Sequence, residues 1–144
     1  MEIRAYNTVG LAKIALKITR GDQTYIEDGV SFIQKNDDET GFIQVSNIIF
    51  KYYYSLYNTA MSENEREKTI ENMVQSFTAL FGDNYINADC WKHLLLIRES
   101  RGSVERSIED VKSLFKLLDY DAFPITTAYI YRKIANYIVS SELF

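Results

Sequence analysis

Residues 70–102, IENMVQSFTALFGDNYINADCWKHLLLIRESRG, constrain this chain more than any other stretch. They read as an amphipathic helix, a polar turn and a second helix that is apolar almost all round. Ile70, Met73, Val74, Phe77, Leu80 and Phe81 recur three and four apart, which is one face of a helix. GDNYINAD then supplies the Gly, Asp and Asn that favour turns and helix caps. From Cys90 to Ile97 only Lys92 and His93 interrupt the apolar run, and the only Trp, Trp91, opens it. A helix so apolar has to be wrapped by other elements. The expectation is a small helical domain with this segment at its centre and an amphipathic neighbour beside it.

Composition narrows the function classes. The 144 residues suffice for one domain with a real core, and a hydrophobic fraction of 47% excludes a disordered chain. Net charge is −4 and Lys and Arg form no block, which disfavours nucleic acid held on a basic face. The single Cys cannot form an internal disulfide and suits a reducing, cytoplasmic compartment. No signal segment is visible, and no apolar run approaches the length of a spanning helix. The 11 Tyr and 8 Phe are many for this length, and aromatics both fill cores and line binding grooves.

One Pro and 6 Gly, lying mostly between periodic segments, favour an all-α chain of about six to eight helices in a single domain over residues 1–144. Leu11, Ile14, Ala15 and Ile18 mark a first helix with Asn7 as its cap, ended by Arg20-Gly21-Asp22. Residues 22–40 are polar and read as loop with one short helix. Phe42, Val45, Ile49, Tyr53 and Leu56 form the next stripe, and Tyr52, Tyr53 and Tyr54 cannot all face inward. Ser62 with Glu65, and Ser107 with Asp110, fit capping boxes. Pro124 breaks the helix before it, and Thr126 or Thr127 caps the last one, whose stripe is Ile130, Ile134, Tyr137 and Ile138. No repeat or inter-domain linker is evident.

These pieces together resemble the Bcl-2 family of apoptosis regulators, in particular the divergent versions carried by large DNA viruses. LAKIALKITRGD is similar to the family's first helix. In FIQVSNII, the residues Phe42, Ser46, Asn47 and Ile49 fall where the family's death motif has Leu, Gly, Asp and an apolar residue. Leu80-Phe81, the turn and Trp91 follow the family's Leu-Phe, turn and Asn-Trp-Gly-Arg order, Gly102 falls where the family has a Gly at the far end of the central helix, and AYIYRKIANYIVSS resembles its second-last helix. The departures are that His93, or Cys90 if Asn87 takes the family Asn place, stands where the family keeps Arg, and that Ser-Asn replaces Gly-Asp.

The resemblance implies a Bcl-2-like bundle around the hydrophobic central helix. It implies a non-enzymatic, anti-apoptotic viral protein that acts on its host by protein–protein interaction, cytoplasmic or peripheral to mitochondria. Such a protein sequesters the amphipathic death-motif helix of pro-apoptotic Bcl-2 proteins in a hydrophobic surface groove, by the helix-in-groove mode. The implied groove residues are Ile49, Tyr53, Tyr57, Met73, Phe77, Leu80, Asn87, Trp91, His93 and Leu95. An unfilled groove exposes apolar surface, so a homodimer covering part of it is a further expectation. No cofactor, metal or nucleic acid is implied.

Simpler explanations compete with each motif. Aromatic stripes at helical spacing are more often core than groove. Residues 36–47, NDDETGFIQVSN, fit an EF-hand loop with Asn36, Asp38 and Thr40 at positions 1, 3 and 5 and Gly41 at position 6, but Asn47 replaces the bidentate Glu that closes the calcium shell. This motif gives an alternative function, a degenerate light-chain-like module that grips a partner helix without calcium. Cys90 and His93 are three apart and within reach on a helix, yet no oxyanion hole or third group accompanies them, and this is the only His. The acidic runs at Asp37–Glu39 and Glu63–Glu67 read as solvated surface.

Overall fold

The computed structural model describes residues 2–36, 39–81, 88–99 and 104–142. Among them run seven α-helices: α1 (Glu2–Thr19), α2 (Tyr25–Asn36), α3 (Glu39–Thr59), α4 (Glu63–Phe81), α5 (Ala88–Glu99), α6 (Val104–Leu117) and α7 (Pro124–Glu142). The all-α class read from the sequence is the one adopted, with no strand among the described residues. The chain divides into two compact units, Met1–Gly82 and Asp83–Phe144.

In the first unit α1 packs on α2 and α3, and α2 and α3 both pack on α4. The stop signal at Arg20-Gly21-Asp22 becomes a Schellman turn. The Gly21 amide donates to Ile18 O (3.1 Å), the Asp22 amide donates to Lys17 O (2.9 Å), and Gly21 takes the left-handed φ of 73° that its missing Cβ allows. Asp22 Oδ1 then accepts from the Thr24 amide and hydroxyl at 3.0 and 2.7 Å, which starts α2 and holds the Asp22 carboxyl below its ordinary range. Lys17 pairs with Asp28 of α2 at 2.7 Å, and that hydrogen bond raises its ammonium pKa. Asn7 is interior to α1 rather than a cap, because the helix already begins at Glu2.

Three more expectations change. The stretch over 22–40 is mostly helix. Its polar composition hides a narrow buried stripe of Tyr25, Gly29 and Phe32, spaced four and three apart. Gly29 lets α2 come close to its neighbours, since a Cβ there would lie 2.7 Å from Leu80 Cδ2 and 3.5 Å from Val45 Cγ1. Residues 39–47 are already α-helical, so positions 4–12 of the proposed EF-hand loop are not a loop. α2 runs to Asn36 and α3 starts at Glu39, so residues 36–47 do not form the twelve-residue loop between helices from which that calcium-free alternative was read. Asp37 and Asp38 lie outside the described residues.

The α4 cap at Ser62 forms. The Glu65 amide donates to Ser62 Oγ at 3.2 Å, and Glu65 Oε2 accepts from the Met61 amide at 2.7 Å, one residue earlier than in a standard box. In the second unit α5 packs on α6 and α7. Leu94, Leu95 and Ile97 of α5, Leu114 of α6 and Ile130 of α7 are fully buried. The expected cap at Ser107 is not one, since α6 begins three residues earlier at Val104. Nor do Thr126 and Thr127 cap α7. Pro124 opens it, the Thr127 amide donates to Phe123 O at 2.9 Å, and both threonines are buried in its first turns. The turn before it is closed by Asp119 Oδ1, which accepts from the Asp121 and Ala122 amides.

No helix among the described residues is long and apolar enough to cross a membrane.

Candidate functional site

Most of the groove residues expected from the sequence are interior. Ile49, Met73, Trp91 and Leu95 are 0% exposed and Phe77 is 1% exposed, with Leu80 also buried. These side chains fill cores, the first unit's for Ile49, Met73, Phe77 and Leu80 and the second unit's for Trp91 and Leu95. A wall that must meet a ligand has to keep apolar area in contact with water, and these keep almost none. Tyr57 is half-buried. Asn87 lies outside the described residues. Gly102, matched to a family Gly, lies outside them as well. Tyr53 of the set lines an open cleft.

His93 is accounted for within its own unit. Its Nδ1 lies 2.8 Å from Asp110 Oδ1 of α6, with both side chains largely covered. The residue at the family's Arg place thus faces a carboxylate of this chain. Cys90 is 1% exposed and behaves as a small apolar side chain of α5, with no approach for a substrate to its sulfur. No group of three or more His, Cys, Asp or Glu among the described residues is placed to hold a metal ion.

The first unit carries an open cleft of about 490 Å³ between the start of α2, α3 and α4. Ile26, Tyr52 and Leu56 give it apolar and aromatic area, Gln23, Asn72 and Gln75 give it amides, and no lining residue is charged. At its floor are Tyr25, Tyr53 and Ser76, all more than nine-tenths buried. Ser76 Oγ lies 2.8 Å from Tyr25 Oη and 2.7 Å from Tyr53 Oη. Burial pushes the Tyr53 phenol up to about 12, against the opposing pull of its bond to Ser76, so it stays protonated and able to donate.

A second cleft of about 260 Å³ adjoins the first, sharing Leu56 and Asn72, and runs on to Thr59, Glu65 and Lys68. Together they form a trough along the α3–α4 seam. From Glu65 to Ala79, the residues of α4 that line it, the helical rise is about 21 Å.

Sequence reasoning missed this floor because Tyr25 and Ser76 are 51 residues apart. One local signal was present. Ser76 lies three residues after Met73 on the apolar stripe of α4, and a hydroxyl on a core-facing stripe needs a partner.

No family model matches this chain, and no curated protein or solved structure matches it.

Proposed function

We propose that this chain is a helix-binding protein of the Bcl-2 type. It inhibits apoptosis by sequestering the amphipathic death-motif helix of a pro-apoptotic partner, and the helix lies along the α3–α4 trough. The observation that carries the reading is the trough itself. Its run of about 21 Å along α4 matches roughly fourteen residues of helix, or four turns, at 1.5 Å per residue. Its apolar side chains, Ile26, Tyr52 and Leu56, are partly open to water, as a seat for an amphipathic face requires.

The all-α architecture and the resemblance of FIQVSNII and of the Leu80–Trp91 region supply the rest of the support. The seat differs from the groove implied by the resemblance, because most of those side chains are core.

The experiment is calorimetric titration of the folded protein with a panel of death-motif peptides from pro-apoptotic proteins. At least one peptide binds with submicromolar affinity, and Leu56→Glu weakens it by at least tenfold without changing the far-UV dichroism. A panel in which no peptide binds removes the reading.

A further inference from the structure

The second unit carries an aromatic pair at its surface. Phe115 of α6 and Tyr131 of α7 meet edge to face, with ring centroids 5.3 Å apart and planes at 89°. They are 47% and 45% exposed. Aromatic pairs stabilise by taking ring area out of water, and here nearly half of that area stays wet. Ile108, seven residues before Phe115 and so on the same stripe of α6, is exposed as well. Ala128 and Ala135, three before and four after Tyr131 on α7, are exposed and add no bulk beside the rings. An apolar patch of this kind over a helix seam marks an interaction surface.

Its charge is one-sided. Residues 111–118 carry Lys112 and Lys116 and no carboxylate, and residues 122–141 carry Arg132 and Lys133 and no carboxylate. Lys116 and Arg132 are the chain neighbours of the two rings, and Lys112 lies one turn before Phe115. All three are exposed and make no ion pair among the described residues. Lys133 lies over the Tyr129 ring. The acids around the patch are engaged or set apart. Asp110 is bonded to His93, and Asp119 accepts amides of the turn that also holds Asp121. Glu109 is exposed but lies six residues before Phe115, about 9 Å along α6. A symmetric pairing of two copies over this patch would set the same cations against one another, so the rim argues against a second copy.

We infer that the Phe115–Tyr131 patch docks an acidic peptide segment of a partner protein, with an apolar side chain seated against the rings and carboxylates flanking it over Lys112 and Lys116 on the α6 side and Arg132 on the α7 side. Apolar contact supplies most of the affinity, and the cations select the partner's sign and speed its approach. The patch shares no residue with the α3–α4 trough and does not depend on the function proposed for it.

The test is fluorescence anisotropy of the full chain with three labelled synthetic peptides of equal length. One has a Leu-Phe core flanked by Glu on both sides. The second has Lys in place of Glu, and the third keeps Glu but has Ser in place of the core. The first binds at least tenfold tighter than either of the others, and more weakly as salt rises. Tyr131→Ala weakens it at least fivefold. Lys116→Glu combined with Arg132→Glu abolishes the preference for Glu over Lys. Leu56→Glu, in the trough, changes its affinity by less than twofold.

Equal binding of the Glu-flanked and Lys-flanked peptides overturns the inference, as does equal binding of the Glu peptide without its apolar core. A preference that survives Lys116→Glu with Arg132→Glu also overturns it, and these two exposed changes decide the matter if Tyr131→Ala does not fold. If no peptide binds the inference falls, and sedimentation of the chain with phosphatidylcholine–phosphatidylserine vesicles would then assign the patch to an anionic lipid surface. Each of these failures leaves the reading of the trough standing, because the death-motif titration and Leu56→Glu test that reading separately.

Discussion

A Phe on the apolar face of an amphipathic helix either fills a core or lines a groove, and its exposure decides between them. Phe77 is 1% exposed, so its ring belongs to the interior of the first unit. Phe77→Ala removes a buried aromatic and leaves a cavity, which costs about 3–5 kcal/mol. The measurement is the urea midpoint of the variant, and a loss under about 1 kcal/mol would show the ring to be peripheral. Tyr53 gives a second test. Its phenol holds its proton up to about pH 12 in the folded chain, against 10.0 ordinarily. As pH rises through 10 the unfolded chain loses this proton first, so the contribution is whole below pH 10 and declines between 10 and 12. Tyr129 is raised by burial as well, so Tyr53→Phe should flatten the alkaline fall in stability without abolishing it. Urea midpoints on either side of pH 10 check this, and an unchanged slope would place the Tyr53 phenol in water.

At the scale of elements, what the sequence made legible was local chemistry. The Ser62–Glu65 cap is two side chains reaching amides within four residues, and the Arg20-Gly21-Asp22 stop needs only a left-handed glycine and two carbonyls. Ser62→Ala therefore costs about 1 kcal/mol in urea unfolding, and a shift below about 0.3 kcal/mol would mean that α4 starts elsewhere. Stripes were legible for the same reason, since Phe42, Val45, Ile49 and Tyr53 are all buried where the period put them. Two kinds of element escaped. The stripe of α2 is only Tyr25, Gly29 and Phe32, with one member a glycine, and composition outvoted it. The caps of α6 and α7 were misplaced because Ser and Thr at helical spacing occur inside helices too. Asp110 pairs with His93 instead of capping, a contact that only the packing of α5 on α6 creates. Gly29 tests one such close approach. Gly29→Val drives side-chain atoms into Leu80 and Val45, and overpacking of that kind costs about 1–3 kcal/mol. A variant as stable as the parent in urea would mean that α4 moves aside freely.

For the whole molecule, residues 1–144 read as one domain because no Pro-, Gly- or Ser-rich stretch separates two cores. The structure groups Met1–Gly82 and Asp83–Phe144 as two compact units, a division that depends on which helices pack and leaves no mark in composition. The candidate site was illegible on the same ground: its floor joins α2 to α4, and its accessible rim is made of residues the periodicity left unassigned, Gln23, Tyr52, Asn72 and Gln75. Both clefts of the trough are lined only by residues of the first unit. That unit also owns a core of its own, with Ile14, Phe32, Phe42, Ile49, Phe50, Met73 and Phe77 buried in it. A chain of about eighty residues is near the lower size at which one core suffices, so the fragment should fold with reduced but measurable stability. Residues 1–82 expressed alone should give helical far-UV dichroism, a cooperative urea transition and the same rank order of death-motif peptide affinities as the full chain. Residues 83–144 alone should bind none of those peptides. A folded 1–82 fragment that has lost all peptide binding would move the site off the α3–α4 seam, whereas one without a cooperative transition would show that the first unit's core does not stand by itself.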